Sequence, residues 1–136
     1  MTLILAKDRR RTETPNGVMT TLASPTQGGA GTVMWRVDML PGREGSLHAF
    51  DAGQVWTFVE GGATVQLGDE KLTVAAGDSL VMHADVTRQV FTDQGFAAVV
   101  VAPAGGQVYN PDGKGPGEAC DLAPRGDERV APPWVR

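Results

Sequence analysis

Along TVMWRVDML, Val33, Trp35, Val37 and Met39 fall on one face and Met34, Arg36 and Asp38 on the other. That period of two predicts a half-buried β-strand. The stretch QVWTFVEGGATVQLGDEKLTVAAGDSLVM predicts a strand to Glu60, a break at Gly61 and Gly62, and a strand to Leu67. A tight turn at Gly68 and Asp69 follows, then a strand to Val74 and another after Gly77. TRQVF and FAAVVVAP add two strands around the turn residues Asp93, Gln94 and Gly95. About eight strands result, enough for two sheets over one core, and no segment carries a helical period.

The ends differ from this middle. Residues 104–136 contain GG, NPDG, KGPG, APRGD and APPW, which predicts a tail with little regular structure. Tyr109 and Trp134 are large enough to anchor it across the barrel. The apolar start TLILA reads as a strand exchanged in a homodimer, the expected assembly, or as an internal edge strand, and KDRRR as a solvated charged edge.

Composition narrows the function classes. A chain of 136 residues has the size of one domain, and its 18 glycines and nine prolines are the punctuation of an all-β protein. The net charge of −4 offers no positive field for nucleic acid or an anionic membrane. No apolar run has the length of a membrane span, and Lys7, Arg9, Arg10 and Arg11 follow the short apolar start, the reverse of a signal peptide, so a cytoplasmic protein is expected. One cysteine, Cys120, and two histidines cannot build a Cys/His zinc cage.

Chemistry centres on SLHAFDAGQVWTF, which carries His48. A histidine there is a metal ligand, an acid/base group or a satisfied core residue. Gly77, Asp78, Ser79 and Leu80 spell the nucleophile block of an esterase family. That family needs a late histidine to activate its serine, and none follows His83. The glycine pairs at Gly28, Gly61 and Gly105 have no following helix to make a phosphate loop.

From Gly42 the chain runs five residues to His48, one to Phe50, three to Gln54 and six to Gly61; from Gly77 it reaches His83, Asp85, Arg88 and Thr92. These spacings resemble the two motifs of the cupin family, at 42–61 and 77–92. The resemblance implies an all-β cupin-type jelly-roll β-barrel of two antiparallel sheets over residues 1–103, with 104–136 as a tail packing on it. In metal-binding members the four ligands are two histidines and a glutamate of the first motif and a histidine of the second. Here those positions hold His48, Phe50, Gln54 and Arg88. A phenyl ring cannot coordinate and a guanidinium repels a cation, so no metal and no cofactor is expected. A two-histidine, one-carboxylate site from His48, His83 and Asp51 or Asp85 is the alternative, with metal-dependent dioxygenase chemistry.

The pocket so implied offers His48 as a group titrating near neutrality, Arg88 to hold a carboxylate or enolate, and Gln54 as donor or acceptor. Phe50, Trp35, Trp56 and Phe58 would wall it, with His83 at its rim, and Asp51 is a candidate to orient His48. The expected function is metal-independent acid/base chemistry, isomerisation, elimination or cyclisation, on a small organic molecule. Binding without catalysis is the alternative.

Overall fold

The structure, a computed structural model, describes residues 1–113 and 124–136; Cys120 and the KGPG stretch lie outside them. Twelve strands order the described residues: β1 (Arg11–Thr14), β2 (Gly17–Ala23), β3 (Thr32–Met39), β4 (Arg43–Glu44), β5 (Ala49–Phe50) and β6 (Gln54–Leu67). After them come β7 (Glu70–Ala75), β8 (Ser79–Met82), β9 (Arg88–Thr92), β10 (Phe96–Pro103), β11 (Val108–Tyr109) and β12 (Arg129–Val130). A curled nine-stranded sheet follows the path β1-β2-β3-β10-β6-β9-β4, with β7 and β8 also on β6. A second sheet of β12, β11 and β5 completes the jelly roll. The two-residue β4, β5, β11 and β12 leave no period to read, and the β1–β2 hairpin also lies outside the segments whose alternation predicts strands.

The expected break at Gly61 and Gly62 is a bend inside one 14-residue strand. Gly61 has φ +68°, and a Cβ there would lie 2.1 Å from the Gly95 carbonyl oxygen, so only glycine fits. The register against β10 shifts between Ala97 and Ala98 at this point. The first half of β6 therefore pairs with β10 and β8, and the second half with β7 and β9. One strand carries the chain from one face of the barrel to the other.

Alternation then fills the core. Val33, Trp35 and Val37 of β3 point inward and are buried, while Arg36 and Asp38 pair outward at 3.0 Å. On β6, Gln54 and Phe58 are buried, whereas Val55 and Val59 are each 42% exposed. Phe58, Val65, Met82 and Val100 are fully buried, each contributing about 1.5–3 kcal/mol by burial.

The ends depart from expectation. Leu3, Ile4 and Leu5 form no strand; a 3₁₀ turn at Ala6–Asp8 precedes β1, and Leu3 lies exposed. Arg10 is half-buried rather than solvated, and its Nη2 donates to the Arg136 main-chain oxygen (2.6 Å). The tail has more regular structure than its turn residues predict, because β11 and β12 extend β5 and a 3₁₀ turn at Pro133–Val135 follows. Gly106 makes this docking possible, since a Cβ there would meet the Phe50 ring at 2.9 Å. No helix among the described residues is long and apolar enough to cross a membrane.

Candidate functional site

Between the inner faces of β2, β3, β6 and β9 lies a cavity of about 170 Å³. Trp35, Val37, Phe50, Trp56, Val90 and Phe96 give it largely apolar walls, and His48, Gln54 and Arg88 bring polar groups to it. His48 and Arg88 are not across the cavity from one another. They are antiparallel partners, with the His48 amide donating to the Arg88 carbonyl (3.1 Å) and the Arg88 amide to that of His48 (2.8 Å). Directly paired residues show their side chains on the same face, so imidazole and guanidinium share one wall.

Arg88 is 2% exposed. Its Nε donates to the Val86 carbonyl (3.3 Å), Nη2 to the carbonyls of Val86 and His83 (3.2 Å each), and Nη1 to Gln54 Oε1 (3.2 Å). All of these acceptors are neutral. Among the described residues no carboxylate reaches ion-pair distance of Arg88, although Asp85 and Tyr109 act on it from farther off. Burial outweighs them and pulls the guanidinium pKa down to about 10, still charged at pH 7.

Gln54 is oriented by its neighbours. Its Oε1 accepts from Arg88 Nη1 and from Trp56 Nε1 (2.9 Å), two groups that only donate. The amide oxygen is committed to them, and the NH₂ group is left to donate toward the cavity that Gln54 lines.

His48 does not titrate near neutrality. Burial first, and the adjacent Arg88 charge second, push its pKa down to about 4. Its Nδ1 is buried without a hydrogen-bond partner. The ring is therefore neutral across the physiological range. Between pH 6.5 and about 4 the unfolded chain binds a proton at this residue that the folded chain refuses, so stability falls as pH falls through that window. The loss from this group reaches about 3 kcal/mol, and above pH 7 its contribution is flat. Urea unfolding at pH 7 and pH 4.5 should show a larger loss for the wild type than for His48→Gln, and equal losses would refute the assignment.

Other sequence-predicted residues divide. Trp35, Phe50 and Trp56 line the cavity. Phe58 does not: it is fully buried behind Trp56, with its ring centroid 5.2 Å from that of Phe96. His83 lies exposed after β8 and gives only its carbonyl to Arg88. Asp51 does not orient His48. Its Oδ1 accepts from the Gln107 amide (2.6 Å), and Oδ2 lies 3.6 Å from Arg129. Ser79 is exposed and pairs with Thr57 (2.9 Å), while Asp78 closes the turn by accepting from Ala75.

Sequence reasoning missed a wall. Pro132 and Trp134 of the tail line the cavity, as does Val108. Thr21 Oγ1 donates to the Trp134 carbonyl (2.9 Å), while Ser24, Thr26 and Arg10 converge on the Arg136 main-chain oxygen. PPWV signalled an anchor, but nothing in it tells where the anchor lands.

Metal-binding members of the family this chain resembles hold their metal at these positions, and the donor set here does not fit one. A charged guanidinium occupies the fourth ligand position and Phe50 the second, while the carbonyl oxygen of Gln54 is already shared by two donors. Among the described residues no three His, Cys, Asp or Glu side chains gather to hold a cation.

No family model matches the chain, and no curated protein matches it either. Solved structures do. An RmlC-like cupin from Shewanella frigidimarina superposes with TM-score 0.65 at 20% identity, covering 74% of this chain and 89% of that one. Oxalate decarboxylase from Bacillus subtilis gives 0.65 at 15% identity, over 71% of this chain and 27% of that one. Salicylate 1,2-dioxygenase from Pseudoaminobacter salicylatoxidans gives 0.62 at 18% identity, over 69% and 26%. The chain thus spans about a quarter of the length of the two enzymes. This likeness shows a cupin jelly-roll fold and leaves ligand and chemistry to the site.

Proposed function

We propose that the cavity binds a small organic molecule through an anionic oxygen, a carboxylate or enolate on an apolar or aromatic body, without a metal. One observation carries this reading: Arg88 is a buried cation whose hydrogen-bond acceptors are all neutral. A charge held out of water without a counter-ion in contact is costly, and a ligand that brings the anion offsets that cost with a charge-assisted hydrogen bond. The Gln54 NH₂ adds donors, and Trp35, Phe50 and Trp56 suit the apolar body.

A catalytic reading extends this one, and a neutral His48 among the residues that line the cavity favours it. His48 takes a proton from a carbon beside a carbonyl, and the electron pair moves to the carbonyl oxygen, where Arg88 stabilises the enolate. Return of the proton elsewhere, loss of a leaving group or ring closure then gives isomerisation, elimination or cyclisation. A bound anion would cancel part of the Arg88 repulsion and make His48 a stronger base. Binding without turnover is the alternative, and His48→Gln separates the two: it removes turnover with a smaller effect on affinity if His48 moves the proton.

Calorimetric titration at pH 7 with benzoate and with neutral benzamide tests the anion site. Benzoate is expected to bind at least about tenfold more tightly, a difference of about 1.4 kcal/mol. Equal affinities, no binding of benzoate, or near-stoichiometric transition metal in the purified protein would overturn the reading.

A further inference from the structure

We infer that Trp134, contributed by the tail and not by the barrel, sets the size of the ligand and limits it to organic acids of about one ring. This rests on the anion-binding reading above. Trp134 lines the same cavity as Arg88, His48 and Gln54 and is packed against the core cluster. Its placement is built in. The 3₁₀ turn Pro133–Val135 carries it, the buried Val135 side chain pins one side, and Thr21, fully buried, holds the Trp134 carbonyl. Two residues on, Ser24 (2.5 Å), Arg10 (2.6 Å) and Thr26 (2.7 Å) all donate to the Arg136 main-chain oxygen. The main chain that carries the indole is thus held at several points, and the ring itself packs against the core cluster.

The room it leaves is about 170 Å³. An apolar cavity of about 150 Å³ holds one benzene molecule, so a single ring is the body this one matches. Shortening Trp134 removes a large wall while touching none of the groups that hold the anion. Selectivity for size should therefore change and selectivity for charge should not.

The probes are benzoate and 2-naphthoate, titrated at pH 7 into the full chain and its variants. The wild type is expected to favour benzoate, and Trp134→Ala to shift the naphthoate-to-benzoate affinity ratio upward by at least about tenfold. Thr21→Val, which frees the Trp134 carbonyl, and Trp134→Phe should shift the ratio the same way by less. They decide the matter if Trp134→Ala does not melt cooperatively. Benzoate binding with an unchanged ratio in these variants overturns the size limit alone. If benzoate fails to bind the wild type, the anion reading fails first and the size limit with it.

Discussion

Arg88→Met is expected to weaken carboxylate binding by about ten- to a hundredfold. A hydrogen bond to a charged group contributes about 1.5–3 kcal/mol, and each 1.4 kcal/mol is a decade in affinity. Methionine keeps the buried stem and removes the charge. The carbonyls of His83 and Val86 lose a donor, at about 1–3 kcal/mol each, but a desolvated cation disappears with it. The two effects on stability oppose one another. The same variant carries a second readout at His48. Burial, the larger cause of its depressed pKa, remains, while the Arg88 repulsion is gone. The imidazole should titrate higher than about 4 and still below 6.5, as followed by NMR across pH 3–8. Unchanged benzoate affinity would refute the role of Arg88 in binding, and an unmoved His48 titration would refute the coupling of the two side chains.

Gln54→Glu should abolish anion binding more completely, by about a hundredfold or more, although it changes one amide into an isosteric carboxylate. The introduced carboxylate would take the bonds from Arg88 Nη1 and Trp56 Nε1 that the Gln54 oxygen now accepts. Arg88 would then have an internal counter-ion, and the NH₂ donors would be replaced by a repelling negative oxygen. The added negative charge should also raise the His48 pKa. Calorimetry with benzoate and NMR titration read both effects. Retained benzoate affinity would mean that the anion is held elsewhere. Gln54→Leu distinguishes lost donors from added charge: it removes the donors alone and should weaken binding by less.

Much of the fold was legible because alternation is local. Val33, Trp35 and Val37 announce their own inward face, and the spacing from Gly42 through Gly61 marks the first motif without any partner strand. Gly61 shows the limit. A glycine pair reads as a break, yet here φ +68° and the Gly95 carbonyl turn it into a bend that keeps one strand intact. The tail shows another: Val108 and Tyr109 pair with Phe50 and Ala49 nearly sixty residues earlier, and a two-residue strand has no period.

For the site, the order of residues was enough to say which side chains exist to do chemistry: one histidine, a glutamine and an arginine at positions where a related barrel would hold a metal, and aromatic residues in strand phase around them. Folding determined what those groups are. It made His48 and Arg88 cross-strand neighbours, so that burial and a like charge together drop the imidazole to about 4. It moved Phe58 into the core and His83 to the surface, and brought Trp134 across the cavity. The difference is one of range. Which way a strand residue points follows from its nearest neighbours in the chain, whereas desolvation, charge coupling and the wall of a cavity depend on residues that only folding brings together.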